Sequence, residues 1–261
     1  MPAARADFLC IDNSNSFTKF ALGTRDQVGA VRRLQTSAVN PDSLQRVLHG
    51  WDFEAVVMCS VVPQKGEIIA RHLAPKRVLQ VSAKVRLGVG IDYPKPATIG
   101  ADRLANAASA FANFGSPVVV VDFGTAVSFD IISADGDYVG GVIGPGLEAM
   151  TDYLHQRTAL LPKISLLEPP TAIGKSTRDA MLAGAVYGYR GLVRQILLEI
   201  QRELGGRRKL QVVATGGYAE LIAARLPEIG RVQPNLTLDG LRIIGTLNFP
   251  DGSGKTSQRR R

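Results

Sequence analysis

Apolar positions along the chain fall into short blocks, and most blocks are joined to the next by a polar turn. The first three, FLCID, FTKFAL and VGAVRRLQT, predict three strands linked by turns. A helical period follows near 41–49, then a strand over 55–61 (AVVMCSV), a helix over about 63–73 and a strand RVLQVS. The second half opens the same way. PVVVVDFG, TAVSFDIIS and YVGGVIG predict three more strands, the last two separated by the turn ADGD. Helices are predicted near 146–157 and 177–204, then a strand LQVVATGG, a helix YAELIAARL and a last helix near 239–247.

The two halves share a detail finer than element order. Each begins with an apolar strand ending in Asp, a turn of small residues and a second strand: CIDNSNSFTKF around Asp12 and VVDFGTAVSFD around Asp122. Two such halves predict an α/β protein of two ribonuclease-H-like domains, with both acid-bearing turns facing a cleft between them. The alternative is a single mixed α/β domain. The division falls at 1–115 and 116–248, with a basic tail over 249–261 that is expected to be disordered.

Composition narrows the class. The 261 residues are 45% hydrophobic and 21% charged, which suits a globular chain with a real core. No apolar run approaches the ~20 residues of a membrane helix, and the first residues have too short an apolar core for a signal peptide. A cytoplasmic protein is expected. Cys10 and Cys59 lie in strand-like runs and are expected to be buried free thiols. The three histidines, His49, His72 and His155, lack ligand spacing for zinc. A net charge of +8 raises the possibility of nucleic acid binding. Much of the excess sits in Lys255, Arg259, Arg260 and Arg261, however, without aromatic interleaving or a binding motif. A small anionic substrate suits such a chain equally well.

Several short motifs could carry chemistry. In DFGTA (122–126), turn amides and the Thr125 hydroxyl can donate to phosphate oxygens while Asp122 holds a cation. GADRL (100–104) places an acid beside a guanidinium where a loop becomes a helix. Asp102 is there either an N-cap or a general base, and Arg103 either solvated or a carboxylate clamp. GGVIGPGLEAM (140–150) and ATGG (214–217) close strands with glycines just before helices. This arrangement serves either tight packing or an anion. IGKSTRDAM (173–181) puts Ser176 or Thr177 at a helix N-cap. Ala180, Gly184, Gly188 and Gly191 then follow near helical spacing, a ridge for packing within the subunit or for a dimer. GSGKT (252–256) lacks the first glycine of a Walker A loop, since Phe249 stands there, and no helix follows it.

Taken in order, the Asp-led hairpin at 12–19, Tyr93 before GADR, DFGTA, GGVIGPG, IGKST and ATGG resemble the type III pantothenate kinases of bacteria. The resemblance covers the chain to about residue 248. It implies an actin-like (ASKHA) two-domain fold, a dimer, and transfer of the ATP γ-phosphoryl group to pantothenate with Mg²⁺ and a monovalent cation, K⁺ or NH₄⁺. By the same resemblance Asp12, Asn13, Ser14, Asn15, Ser16, Phe17, Thr18, Lys19 and Thr125 hold ATP, and Asp122 holds the monovalent cation. Asp102 is the base. Tyr93, Gly100, Ala101, Asp102 and Arg103, with Thr177 from the partner subunit, hold pantothenate. The departure is in the first hairpin, where the family reads Asp-x-Gly-Asn-Thr and this chain reads Asp12-Asn13-Ser14-Asn15-Ser16. A left-handed backbone at Ser14 would cost roughly 1 kcal/mol. Ser14 is the one support for an alternative, a non-catalytic homologue that binds pantothenate or nucleotide. A second alternative is a same-fold kinase for another small acidic alcohol, since Arg103 and Tyr93 favour an acidic substrate without naming it.

Overall fold

A computed structural model describes residues 6–205 and 210–249; GSGKT and all of the basic tail but Phe249 lie outside them. The first half forms β1 (Ala6–Asn13), β2 (Phe17–Gly23), β3 (Val28–Gln35), α1 (Pro41–Val47), β4 (Phe53–Ser60), α2 (Pro63–His72) and β5 (Arg77–Gln80). The strands lie in the order β3-β2-β1-β4-β5. The β1–β2 and β2–β3 pairs are antiparallel, and β1–β4 and β4–β5 are parallel.

The second half repeats this topology. Its strands are β6 (Gly90–Ile91), β7 (Val118–Phe123), β8 (Ala126–Ile132), β9 (Asp137–Pro145), β10 (Gln211–Thr215) and β11 (Arg231–Val232). Their order is β11-β10-β7-β8-β9-β6. Read from β9 to β11 it is the first sheet again, with β6 added in parallel at the β9 edge. The helices are α3 (Ala101–Phe114), α4 (Leu147–Arg157), α5 (Thr177–Glu203), α6 (Ala219–Ala223) and α7 (Leu236–Asn248). No helix among the described residues is long and apolar enough to cross a membrane.

Strand parity explains where the core and the acids go. In a strand buried on both faces, alternate residues feed different cores. Phe8 and Cys10 of β1 join Val118 and Val120 of β7 in one cluster, together with Leu104 and Ala108 of α3 and Leu241 and Ile244 of α7. This α3–α7 pair fills the space between the two sheets. The odd positions pack outward. Leu9 and Ile11 meet Leu44 and Ile69 of α1 and α2, and Val119 and Val121 meet Val186 and Tyr189 of α5. Asp12 and Asp122 share the parity of the inner positions. The alternation therefore places both acids at the ends of their strands, on the sides where the two sheets face each other.

Some expectations shift. The strands β6 and β11 are two residues long, too short for any periodicity to register. The α3 helix starts at Ala101 with Gly100 as its N-cap, so Asp102 lies inside the first turn rather than capping it. At the start of α5 the N-cap is Ser176, whose Oγ accepts from the Asp179 amide at 3.1 Å, and Thr177 is the first helical residue. The helix expected from YAELIAARL keeps only α6, and α7 begins three residues earlier than its apolar period suggested. Cys10 and Cys59 are buried free thiols, as expected.

Candidate active site

The first hairpin is held by a buried polar network. The Asn13 amide nitrogen donates to Thr18 Oγ1 at 2.8 Å, and its carbonyl accepts from Ser60 Oγ at 2.7 Å. Thr18 and Thr36 hydroxyls bond at 3.0 Å, and Thr36 Oγ1 donates to the Ser14 carbonyl at 2.6 Å. Asn13 and Thr18 are almost fully buried, and both side chains are spent on shaping the turn. What the turn presents outward is Asn15, Ser16 and Phe17, all exposed, with the Phe17 ring under the Arg33 guanidinium at 5.1 Å. The amides of Asn15 and Ser16 donate to no group among the described residues. Such free turn amides are what an anion requires.

No described residue other than glycine has positive φ, so Ser14 sits in an ordinary conformation and the left-handed cost does not arise. Its hydroxyl instead donates to Asp12 Oδ1 at 2.6 Å. The serine is thus a working part of the turn. Ser14→Gly is expected to destabilise the protein by about 0.5–1.5 kcal/mol, through the freer unfolded chain and the lost hydrogen bond. Urea unfolding checks this, and a more stable glycine variant would mean that the serine was strained after all.

The two hairpins meet. Ser16 Oγ and Thr125 Oγ1, 109 residues apart in sequence, share a hydrogen bond of 3.1 Å. Behind Ser16, Lys19 stands opposite Asp12 in the β1–β2 register, with Nζ 3.4 Å from Oδ2. Behind Thr125, Asp122 is backed by the ATGG turn. Gly216 there has φ +94°, and a Cβ on it would lie 2.6 Å from Asp122 Oδ1. Only glycine fits both constraints. Asn106 of α3 donates to Asp122 Oδ2 at 3.3 Å, and its own carbonyl accepts from Thr237 Oγ1 of α7 at 2.8 Å.

The third acid comes from α3. Asp102 Oδ1 accepts the Arg103 amide at 2.8 Å, and burial, reinforced by Asp12, pushes its carboxyl above the ordinary range against that hydrogen bond. Burial and then Asp12 raise Asp122 to about 6, with Lys19 opposing. Asp12, Asp102 and Asp122 therefore share one electrostatic environment, tempered by Lys19. Among the described residues no group of three or more His, Cys, Asp or Glu side chains converges as a metal cage. The oxygen donors present suit a hard cation held by one or two carboxylates, with the rest of its shell supplied by phosphate and water.

Beside Asp102, Arg103 Nε donates to Asp130 Oδ1 at 2.6 Å, and the guanidinium lies 5.7 Å from the Tyr138 ring centre. Tyr93 meets Tyr138 edge-on, with centroids 6.2 Å apart. Tyr138 thus links Tyr93 to Arg103, and with it to the start of α3 that carries Gly100, Ala101 and Asp102. Thr177 is not with them. It opens α5, which packs on the outer face of the second sheet, opposite the layer of α3. Three participants went unnoticed in the sequence: Asn106, Asp130 and Tyr138. Asp130 did leave a signal, as a lone acid inside an apolar strand.

Two sheets of one topology, meeting through acid-bearing hairpins at the ends of their first strands, define an actin-like fold of the kind used by small-molecule kinases. Solved structures agree on the fold. A protein described as a Baf family transcriptional activator from Campylobacter jejuni aligns with TM-score 0.59 at 19% identity, covering 90% of this chain and 96% of that one. The activator of 2-hydroxyisocaproyl-CoA dehydratase from Clostridium difficile aligns with TM-score 0.50 at 10% identity, covering 92% and 93%. Sequence relatives are nearer. A type III pantothenate kinase of Akkermansia muciniphila is 52% identical over 93% of this chain and 99% of its own length. One of Methylacidiphilum infernorum is 40% identical over 94% and 93%. The type III pantothenate kinase family matches residues 8–199, and the chain belongs to that family.

Proposed function

We propose that the protein transfers the γ-phosphoryl group of ATP to the primary hydroxyl of pantothenate, giving 4'-phosphopantothenate, the first step of coenzyme A biosynthesis. The observation that carries this reading is the meeting of the two hairpins at Ser16 and Thr125, with Asp12, Asp102 and Asp122 grouped behind them. Phosphoryl transfer is mostly positioning and charge neutralisation. The free amides of Asn15 and Ser16 and the hydroxyls of Ser16 and Thr125, with Lys19, bind the phosphates. The carboxylates of Asp12, Asp102 and Asp122 would help to hold Mg²⁺, which would supply charge neutralisation for the transferring group. Asp102 accepts the proton of the attacking hydroxyl. Its raised affinity for a proton suits it to that role. Arg103 and Tyr93 receive the acid end of pantothenate, and Asp122 would hold K⁺ or NH₄⁺.

The reading extends to a homodimer. The ridge of Gly184, Gly188 and Gly191 is exposed, and a Cβ built on any of them meets nothing within 4 Å. Tyr153, Leu160 and Ile173 are likewise exposed nearby in sequence, at 61%, 89% and 74%. A second subunit seated on this face supplies the burial these groups lack. It also gives Thr177 a route to a site it does not reach in its own chain. The ordinary backbone conformation of Ser14 takes away the motive for a non-catalytic homologue.

A coupled ADP-release assay with pantothenate, Mg²⁺, K⁺ and millimolar ATP tests the activity. Pantothenate-dependent turnover is expected, falling sharply when Na⁺ replaces K⁺, and sedimentation should give a dimer at micromolar protein. No turnover above the ATP-only background would refute the kinase reading. A monomer would remove the shared site.

A further inference from the structure

We propose that Asp130 is a positioning residue for recognition of the substrate's carboxylate: it fixes the Arg103 guanidinium so that Nη1 is left to take the anion. The inference rests on the pantothenate reading above.

Asp130 sits in β8 between the apolar Phe129 and Ile131, at 0% exposure, with the inner parity it shares with Ile132. Its Oδ1 accepts both from Arg103 Nε at 2.6 Å and from the Tyr138 hydroxyl at 3.2 Å. Its Oδ2 is buried with no hydrogen-bond partner. A half-satisfied buried carboxylate is costly, and an apolar residue would fit this strand without that cost. The neighbouring backbone makes room for the pair. Gly141 stands opposite Asp130 in the β8–β9 register, and a Cβ there would fall 2.3 Å from Arg103 Nη2 and 1.9 Å from the Phe129 carbonyl. The guanidinium is therefore held on three sides, by Asp130 at Nε, by the Phe129 carbonyl 3.4 Å from Nη2 and by the Tyr138 ring.

Two consequences follow. The Nε side of the guanidinium is spent, so the side-on fork that commonly grips carboxylates is closed. Nη1 has no partner among the described residues, and a substrate carboxylate must be received at the terminal nitrogens. Arg103 also adjoins Asp102 in the first turn of α3, so fixing one end of the substrate sets the reach of its hydroxyl to the base. Asp130 then acts through Arg103 and touches neither substrate nor phosphate. Burial favours its neutral form, and even against the opposing charge and hydrogen bond of Arg103 its carboxyl stands at about 7.

Asp130→Asn keeps the shape and an acceptor oxygen but removes the charge that orients the guanidinium. Steady-state kinetics should show the pantothenate KM raised about tenfold, the size of one charge-assisted hydrogen bond, with the ATP KM within about twofold. The decisive readout is selectivity between pantothenate and its isosteric primary amide. The wild-type preference for the acid in kcat/KM should fall about tenfold. A merely structural defect would lower both substrates together, and that result, or unchanged kinetics, overturns the proposal. Tyr138→Phe removes only one donor to Oδ1 and gives the same test if the asparagine variant does not fold. Its preference for the acid should fall about threefold, and no change there is equally decisive. A wild-type protein without pantothenate turnover fails the kinase reading first, before any variant is compared.

Discussion

Replacing Asp102 with asparagine is expected to lower kcat by about 10²–10⁴, the usual worth of a positioned general base. The pantothenate KM should stay within a few-fold. The substitution is isosteric, and the side-chain oxygen still accepts the Arg103 amide at 2.8 Å, so the first turn of α3 keeps its shape. What is lost is the ability to take a proton. Burial and the neighbouring Asp12 raise the proton affinity of this carboxyl. This brings it nearer to the attacking hydroxyl, and it should also make wild-type kcat fall on the acid side at a pH above the ordinary carboxylate range. The asparagine variant should lose the part of that limb that belongs to Asp102 and keep the part set by Asp122, which titrates at about 6. A variant retaining more than about a tenth of wild-type kcat would show that Asp102 only orients the substrate.

Strand alternation made much of this arrangement legible. Once Asp12 and Asp122 are seen to end apolar strands of similar length, parity alone puts both on the inner faces, and two copies of one topology make those faces meet. The hairpin contact through Ser16 and Thr125 follows from the same symmetry. What stayed hidden depends on packing across layers. Asn106 is an unremarkable helical residue until α3 is known to lie against the end of β7. Asp130 pairs with Arg103 across 27 positions, a distance that no motif spans. Ser14 misled for a different reason: a residue type suggested a backbone angle. The turn gets its shape from Asn13, Thr18 and Thr36 and needs no left-handed residue at that position. Asp102, weighed as an N-cap, lies two positions beyond it, because Gly100, with no side chain to accept a backbone amide, is a silent N-cap.

Asp122→Asn is expected to abolish most activity while making the protein more stable at neutral pH. The folded protein holds the proton on Asp122 to about 6, against an ordinary 3.8. Between those values the folded state binds more protons than the unfolded chain, so stability falls as pH rises through the window and remains lower above it. Asp130 titrates in the same direction, to about 7, and extends the decline in both proteins. Asparagine cannot ionise, so the Asp122 penalty disappears. At pH 8 the variant should be more stable by on the order of 1–3 kcal/mol, a melting point about 5 °C higher, with the gap closing as pH is lowered toward 4. A bound cation offsets the same penalty. Adding K⁺ at pH 8 should therefore raise the wild-type melting point and leave the variant unchanged. Turnover should fall at least about 100-fold, the scale of losing one preorganised electrostatic group at the reacting phosphate. Equal melting points at pH 8 would mean that Asn106 and Lys19 already compensate the charge. A K⁺ response surviving in the variant would place the cation elsewhere in the cleft. If the expected pattern holds, the buried charge at the end of β7 is a cost to folding that the protein carries for the sake of the ion it binds.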